Sequence, residues 1–522
     1  MTEKTITSFK ITQKIRDLEE QIGTLSPMQK ILLGTDGSVT TLLENALGCE
    51  VMVKTLSQEV VPAGDRVAAS LGIRPGEPVN HRIVTLNESG TGRALLYAVS
   101  DTPLSRLDPS FRDDLMRADI PIGRIMQMHH IEARRELDNV KACRADRAIS
   151  DILGIFSKEP LLSRRYRIIT AGKPLIAIRE TFPYSNFTDE KRVIVEAPAR
   201  IHMGLIDMNG ISGRVDGGIG LAVEDPSIVV EARRGSELRV RADEDGAPQA
   251  ERVKNTAEKI LAMLGVGEGV EITLHHSYPG HIGLGSGTQL DLATTRAILE
   301  LFQPRHLSVR EMAACTGRGG TSGIGTAVFE SGGFVIDGGH SFGPQGEKSD
   351  FRPSSASGGV PPAPVLFRHP FPEDWQILLA IPDASEGANG KTERDIFGRH
   401  CPVPIGDVQA LCHAILMQML PGVVEKDLDL FGCAVNAIQG FGFKRIEHSL
   451  QPPCIRMLIE ALRSTGAVCA GLSSFGPTVY AIGDTGMQDA RRAAEDMMAE
   501  TGGGKVILTH AQNRGADTRI TS

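Results

Sequence analysis

The chain has 522 residues, of which 41% are hydrophobic and 23% are charged, so it can bury large cores and is not a disordered chain. Its formal net charge is −8 and only 4% of its residues are aromatic. Both values argue against a dedicated nucleic-acid binder, which would carry a basic surface and stacking side chains. At about 150 residues per domain, the length predicts roughly three domains.

No targeting or membrane segment is visible in the sequence. The first ten residues, MTEKTITSFK, contain no apolar run behind basic residues, and the chain contains no run of about 18 apolar residues. The eight cysteines form no C-x-x-C pair, which argues against a thiolate zinc site and favours reduced thiols. We therefore expect a cytoplasmic protein with no membrane partner. The oligomeric state stays open, with a homodimer as one option.

The first 190 residues are poor in glycine and combine helical patterns with antiparallel strand patterns. We assign them to a first domain, residues 1–190, which ends in a polar, turn-rich segment at 183–191. Its predicted elements are helices at 12–22 and 38–47, a strand at 49–61 and a hairpin over 164–182 that turns at 171–174.

A carboxylate ends the apolar face of the second hairpin strand. Ile176, Ile178 and Glu180 share one face of this strand by the period of two. Glu180 then lies either at a solvated rim of the sheet or at the floor of a pocket. The pattern alone leaves both options open.

Glycine is concentrated in the second module, in the stretches 204–220, 280–287, 317–333 and 338–359. A segment rich in Gly, Pro and Ser at 343–364 predicts a mobile loop or linker. We therefore expect two further domains, residues 191–365 and 366–522. The predicted elements are strands at 193–197, 270–275, 375–381 and 479–482 and a helix at 290–302.

The loop at residues 283–288 lies between a predicted strand and a predicted helix. Small residues allow a ligand to approach the backbone, and the free N–H groups and dipole of a helix start favour phosphate. The loop is not a Walker loop, because no Gly-Lys-Ser/Thr follows. A tight turn would also explain it, but not two further Gly/Ser loops at 321–325 and 471–477.

These loops, in this order, resemble the GHMP kinase superfamily. Residues 279–287 follow its central motif, Pro-x-x-x-Gly-Leu-Gly-Ser-Ser, up to the last Ser, and residues 197–200 and 471–477 resemble its first and third motifs. The resemblance implies a two-lobed α+β fold that holds an anionic ligand. The phosphate-binding residues that it implies are Gly283, Leu284, Gly285, Ser286, Gly287, Thr288, Ser322 and Gly323.

Two departures argue against a kinase. Gly325 stands where the kinases usually have an Asp that acts on the accepting hydroxyl, and Arg200 stands where they often have Lys. Phosphoryl transfer needs a group that positions or deprotonates that hydroxyl. A small-molecule kinase with an N-terminal ligand-sensing domain remains the alternative.

The details are more similar to one branch of this superfamily, the β-ribofuranosylaminobenzene 5′-phosphate synthases of methanopterin biosynthesis. Residues 199–207, 214–220 and 317–339 carry this similarity. Such enzymes join a 4-substituted benzoate to phosphoribosyl pyrophosphate, releasing carbon dioxide and pyrophosphate, and the departing pyrophosphate calls for Mg²⁺.

For each charged residue in these motifs, a structural salt bridge or cap is the competing interpretation. The similarity implies catalytic roles for Asp207 and Asp216, and it makes Arg200, His202 and Arg214 candidates for the benzoate carboxylate or a phosphate. Asp291 is the candidate metal ligand.

Residues 20–190 resemble the chorismate lyase fold, through short motifs at 36–40, 81–84, 120–124 and 172–175. The resemblance implies that Arg82 binds the substrate carboxylate and that Glu180 receives the ring hydroxyl, with Val39 and Ile122 in contact with the ring. It implies no metal or organic cofactor. Val39 stands where the bacterial enzymes have Met.

The same fold serves as the effector-binding domain of some transcription regulators. Those proteins carry a DNA-binding winged helix ahead of it, and about 20 residues are too few for that module. We therefore predict a bifunctional enzyme that makes 4-hydroxybenzoate from chorismate and then ribosylates it. The sequence does not choose between 4-hydroxybenzoate and 4-aminobenzoate for the second step.

Overall fold

In the computed structural model, the chain divides into two units, Met1–Lys191 with Thr521–Ser522, and Arg192–Ile520. The second unit is not divided further, so the boundary at residue 365 stays a prediction. The structure describes residues 3–117, 120–156, 158–188, 191–242, 246–302, 307–317, 323–352, 359–383, 390–484 and 486–521.

The first unit is an antiparallel sheet with helices. Its helices are α1 (Glu3–Ile22), α2 (Pro27–Gly34), α3 (Val39–Leu47), α4 (Asp65–Leu71), α5 (Pro109–Met116), α6 (Ile122–Met128) and α7 (Arg147–Leu153). Its strands are β1 (Val51–Pro62), β2 (Pro78–Glu88), β3 (Ala94–Pro103), β4 (Arg134–Arg144), β5 (Pro160–Thr170) and β6 (Lys173–Pro183). The strand order is β1-β2-β3-β6-β5-β4.

Local sequence signals explain the elements beside the later site. Ser26 caps α2 in a capping box with Gln29, and Ser38 caps α3 by accepting a hydrogen bond from the Thr41 N–H. Strands β5 and β6 turn through Ala171 and Gly172, which both have positive φ. The predicted helices, the strand and the hairpin of this unit are confirmed, and α1 begins earlier than predicted.

The second unit is a mixed α+β structure. Its helices are α8 (Ala247–Leu264), α9 (Ser286–Phe302), α10 (Val309–Cys315), α11 (Gly323–Ser331), α12 (Gly390–His400), α13 (Ile405–Ala414), α14 (Leu420–Glu425), α15 (Leu428–Ile438), α16 (Gly442–Ser449), α17 (Pro453–Ser464) and α18 (Gln488–Glu500). Its strands are β7 (Arg192–Asp207), β8 (Arg214–Gly235), β9 (Arg239–Ala242), β10 (Gly269–His276), β11 (Phe334–Asp337), β12 (His340–Ser341), β13 (Val365–His369), β14 (Gln376–Pro382), β15 (Cys469–Leu472), β16 (Val479–Gly483), β17 (Gly504–Thr509) and β18 (Asp517–Thr521).

Two sheets organise this unit. The larger has the order β13-β11-β8-β10-β9, with β12 and β7 also on β8 and β18 on β7. The smaller has the order β15-β16-β14-β17. All four predicted strands are confirmed, and the predicted α+β fold class is confirmed for both units. Helix α9 begins at Ser286, earlier than predicted, so half of the central loop forms its first turn.

One described helical run, Ile405–Glu425, is long and apolar enough to cross a membrane, with a mean hydropathy of 1.3. It contains α13, a π-helical turn at Ile415–Met419 and α14. The core helix of a soluble protein passes the same test, so this run is weak evidence for a membrane segment.

Candidate active sites

A cavity lies on one face of the first unit's sheet. All four residues predicted for this unit, Arg82, Glu180, Val39 and Ile122, line it. The amino-terminal ends of α3 and α6 form its other wall. The cavity also includes Val53, Val84, Leu86, Ala98, Ser100, Arg135, Tyr166, Ile168 and Ile178. An apolar cavity with a few converging polar groups is the usual form of a small-molecule site.

Strand register explains why Arg82 and Glu180 face the same cavity. Arg82 pairs with Ser100 on β3, and Glu180 pairs with Ala98 on the same strand. Because residues two apart point to one face, both side chains project from the same side of the sheet. They are separated by two strand spacings, about 10 Å between backbones. A flat ring with polar groups at its two ends fits between them.

Glu180 belongs to the cavity rather than to a solvated rim. It is 7% exposed, and its Oε2 accepts a hydrogen bond of 2.6 Å from Arg164 Nε. The Tyr166 hydroxyl donates to its Oε1 at 3.1 Å. Burial, and then the Glu180 carboxylate, raise the pKa of Tyr166, so the hydroxyl keeps its proton as a donor. The ion pair with Arg164 keeps a negative charge inside an apolar site.

Glu180→Gln is expected to lower both stability and pyruvate release from chorismate. Arg164 is 1% exposed, and the change removes its counter-charge. Breaking a buried pair costs roughly 3–5 kcal/mol, and the retained amide hydrogen bond places this variant at the lower end. Denaturant unfolding and a pyruvate assay measure the two effects.

The double variant Arg164→Met, Glu180→Leu separates those effects. An apolar pair leaves no unpaired charge and is expected to recover part of the stability without recovering turnover, because the Leu32 and Thr35 carbonyls and the Tyr166 hydroxyl still lose their partners. Full stability and full turnover in Glu180→Gln would contradict the role of the charge.

Arg135 is a cation of the cavity that the sequence analysis missed. It projects from β4, pairs in register with Ile168, and lines the same space as Arg82. Its Nη1 donates to the Asp36 carbonyl at 3.3 Å, while its Nε is buried with no hydrogen-bond partner among the described residues. The cavity therefore contains two guanidinium groups, which suit two carboxylates.

In the second unit, three segments meet at the start of α9. The Ser473 hydroxyl donates to the Gly283 carbonyl at 2.8 Å and accepts from the His202 N–H at 3.0 Å. Gly283 has φ +92°, and a Cβ there would lie 2.2 Å from the Ser473 carbonyl, so only glycine fits. These contacts bring together the first, central and third motifs that were predicted to share one site.

One cation, Arg200, contacts the central loop, and a second, Lys444, contacts the third motif. Arg200 Nη1 donates to the Gly283 carbonyl at 2.6 Å, and burial lowers the pKa of Arg200 to about 10, so it stays charged at neutral pH. Lys444 on α16 is 1% exposed, donates to the Leu472 carbonyl at 3.0 Å and pairs with Glu447. Sequence analysis missed Lys444. These cations and the first-turn N–H groups of α9 suit a phosphate or pyrophosphate group.

Arg214 and Asp207 make structural contacts. Arg214 donates to the carbonyls of Gly338 and Gly339 at 2.7–2.9 Å. Asp207 accepts from the N–H groups of Asn209 and Gly210, at 2.8 and 3.0 Å, and caps the turn between β7 and β8.

Asp216 and Asp291 are paired with cations. Asp216 has φ +68° and contacts both His340 and Lys348 at 2.7 Å. Asp291 is bound by Arg252 through both oxygens and by Thr256. A guanidinium thus occupies the Asp291 carboxylate and joins α8 to α9, and the metal ligand at Asp291 stays a prediction.

Two families match the two units. The chorismate pyruvate-lyase Rv2949c-like family matches residues 33–188, and the GHMP kinases N terminal domain matches residues 251–333. A β-ribofuranosylphenol 5′-phosphate synthase of Methanocaldococcus jannaschii is 49% identical over 333 residues, covering 62% of this chain and 99% of that protein. The chain belongs to the β-ribofuranosylphenol 5′-phosphate synthase family. A synthase of Methanothermobacter thermautotrophicus is 44% identical over 62% of this chain and 98% of its own length.

The first unit has separate relatives, consistent with a fusion of two enzymes. A chorismate pyruvate-lyase of Mycobacterium leprae is 25% identical over 37% of this chain and 86% of its own length. We therefore call Met1–Lys191 with Thr521–Ser522 the lyase unit, and Arg192–Ile520 the synthase unit.

Within the synthase unit, a buried carboxyl group lies where the sequence analysis found none. Gly325 lacks the kinase carboxylate, but Asp337 on β11 places Oδ2 2.4 Å from the ideal Cβ position of Gly323. Burial is the main cause that raises the pKa of Asp337, and the Asp216 carboxylate raises it further. Ser322, predicted to bind phosphate, lies outside the described residues. Asp337 lies within residues 317–339 but not at position 325, where the kinases usually have their Asp, so the sequence analysis did not single it out.

The described part of the synthase unit does not offer an all-protein metal site. No group of three or more His, Cys, Asp or Glu among the described residues could hold a metal ion. Mg²⁺ is usually held by one or two carboxylates together with substrate phosphates. The donor set here therefore fits a metal ion that is bound chiefly by a phosphorylated ligand.

Proposed function

We propose that the chain is a bifunctional cytoplasmic enzyme. The lyase unit converts chorismate to 4-hydroxybenzoate and pyruvate, and the synthase unit transfers the phosphoribosyl group of phosphoribosyl pyrophosphate to 4-hydroxybenzoate with release of carbon dioxide and pyrophosphate. The observation that carries this proposal is that the cavity of the lyase unit would yield an aromatic acid of the kind that the synthase family uses. The relatives' name, a ribofuranosylphenol synthase, favours a hydroxyl over an amino group on the ring.

In the lyase unit, the proposed chemistry is mainly one of orientation. Arg82 is 2% exposed and donates through Nη1 to the Ile120 carbonyl at 3.1 Å, which fixes the guanidinium in the cavity. We propose that it binds the ring carboxylate, while Glu180 accepts a hydrogen bond from the ring hydroxyl and Val39 and Ile122 contact the ring faces. Chorismate then loses pyruvate within one bound molecule, and the site needs only to hold it in a reactive conformation.

Arg135 is proposed to bind the second carboxylate of chorismate, the one that leaves as pyruvate. Arg135→Ala is expected to raise the KM for chorismate roughly 10- to 100-fold, the scale of a charge-assisted hydrogen bond. Inhibition by 4-hydroxybenzoate should hardly change, because that product has only one carboxylate. Arg134→Ala is the matched control, since Arg134 is exposed on the opposite face and pairs with Glu136. Equal weakening of chorismate binding and 4-hydroxybenzoate binding in Arg135→Ala would contradict this assignment.

In the synthase unit, departing pyrophosphate is proposed to bind at residues 283–288 with Arg200 and Lys444 beside it. Negative charge grows on pyrophosphate as its bond to ribose breaks, and the first-turn N–H groups of α9 stabilise that charge. Mg²⁺ enters as the complex of phosphoribosyl pyrophosphate and is part of the substrate. The ring carbon that bears the carboxylate attacks the ribose, and loss of carbon dioxide restores aromaticity.

One incubation of the full chain tests both activities. With chorismate, phosphoribosyl pyrophosphate and Mg²⁺, we expect pyruvate, carbon dioxide, pyrophosphate and a ribosylated phenol phosphate identified by mass. Pyruvate release should persist without Mg²⁺, whereas pyrophosphate release should not. Strict dependence on ATP, with a phosphorylated alcohol as product, would contradict the proposal and favour a kinase with a ligand-sensing domain.

A further inference from the structure

We propose that His202 is the general base of the synthase reaction and takes the proton of the para-hydroxyl through Nε2. This inference rests on the proposed function of the synthase unit. It gives His202 a role different from the carboxylate or phosphate binding that its motif suggests.

The reaction needs a temporary acceptor for one proton. As the ring carbon bonds to ribose and the bond to pyrophosphate breaks, the ring loses aromaticity and its para oxygen becomes a carbonyl, so that oxygen must release its proton. When the bond to the carboxyl carbon breaks, its electron pair returns to the ring and the oxygen takes the proton back. Charge and atoms balance with no further reactant.

The His202 side chain is free to accept that proton. No other described residue hydrogen-bonds either ring nitrogen, and Nδ1 is buried. The backbone is fixed on both sides, since its N–H donates to the Ser473 hydroxyl and its carbonyl accepts from the Ser474 N–H at 2.9 Å. The imidazole is therefore held in position by its backbone while Nε2 keeps an unused lone pair.

Gly218 lets polar side chains approach the backbone of β8 closely. A Cβ at Gly218 would lie 2.7 Å from Ile324 Cγ1, 2.8 Å from Asp337 Oδ2 and 3.3 Å from His202 Nε2, so a larger residue would displace these groups. Asp337 already accepts hydrogen bonds from the N–H groups of Gly339 and Gly218. His202 is thus the unengaged acceptor of this cluster, and Asp337 is the buried carboxyl group near it.

The surrounding charges keep the imidazole neutral. Burial, and then Arg200 on the same strand and Lys444 on α16, hold the pKa of His202 well below its usual value. Asp337 on β11 is the acidic group that faces it. A base with a lowered pKa is already deprotonated at neutral pH, so acidification, and not a rise in pH, removes its function.

The full chain with His202→Gln tests the role directly. Because a general base contributes roughly 100- to 10,000-fold, kcat for 4-hydroxybenzoate should fall by that factor. The KM for phosphoribosyl pyrophosphate should change less than about threefold, because pyrophosphate binding is not removed. His413→Gln on the exposed side of α13 is the matched control. A normal kcat in His202→Gln would overturn the inference. A variant whose only defect is a higher KM for phosphoribosyl pyrophosphate would overturn it as well.

The dependence of the rate on pH distinguishes a general base from a structural residue, because loss of a structural residue would not change that dependence. The wild-type rate should be flat between pH 6 and 8, whereas His202→Gln should gain about tenfold per pH unit toward the phenol's own pKa, near the tyrosine value of about 10. The more acidic 3-fluoro-4-hydroxybenzoate should restore activity to the variant at lower pH.

Two further outcomes are decisive. A wild-type rate that itself rises tenfold per pH unit would overturn the inference, and this measurement stands even if His202→Gln and His202→Asn fail to fold. An inactive wild-type chain would instead contradict the proposed function.

Discussion

Replacing Arg82 with alanine is expected to weaken chorismate binding by roughly 2–4 kcal/mol, or about 30- to 1,000-fold in KM, the scale of a lost charge pair in a desolvated site. The reason is that Arg82 is 2% exposed and that its side chain projects from β2 into the cavity. When the guanidinium is removed, no bulk water takes its place as the hydrogen-bond partner of the bound carboxylate. Pyruvate release as a function of chorismate concentration measures the effect.

The matched control for Arg82 is Arg179→Ala. Arg179 lies on β6 next to Glu180 but is exposed on the other face of the sheet. Its loss should leave KM within about threefold of the wild type, since exposed charges contribute little. Near-normal affinity in Arg82→Ala, or equal effects in both variants, would remove Arg82 from the binding site.

Ser286→Asp is expected to abolish pyrophosphate release while the protein stays folded. Ser286 is the first residue of α9, where a carboxylate is favoured by the helix dipole. The same carboxylate would occupy the proposed anion site and repel pyrophosphate. We expect a loss of at least about 100-fold in kcat/KM for phosphoribosyl pyrophosphate, comparable to removing one preorganised donor.

Ser308→Asp provides the control for charge and helix position. Ser308 is the exposed N-cap of α10 and is not among the residues proposed to bind phosphate, and Asp caps a helix as well as Ser does. Synthase activity should persist there, and pyruvate release should persist in both variants. Retained synthase activity in Ser286→Asp would argue against pyrophosphate binding at residues 283–288.

Sequence patterns predicted those parts of the sites that belong to local motifs. Glu180 falls on a strand with a clear period of two, and residues 283–288 combine a strand end with a helix start. Arg82 was predicted only through the resemblance to the chorismate lyase fold. The missed residues have no local signature. Arg135 reaches the cavity only because β4 pairs with β5, and Lys444 reaches the Leu472 carbonyl, in the third motif, from α16.

Asp291 shows a contact that the sequence did not predict. Its position one turn into a helix after a glycine-rich loop resembles that of a metal ligand, yet its carboxylate faces Arg252 on a neighbouring helix. Which face of a helix meets another helix depends on tertiary packing, and a lone carboxylate does not reveal it. Ion pairs between distant segments are therefore the part of a site that a single sequence predicts least well.

Arg164 joins the floor of the lyase cavity to one of its walls. The same guanidinium that pairs with Glu180 also donates to the carbonyls of Leu32 and Thr35, at 2.7 and 2.9 Å, where α2 ends. Three residues later the chain begins the wall formed by Ser38, Val39 and Thr40. One buried side chain therefore fixes both the carboxylate proposed to recognise the ring and the backbone that leads into that wall.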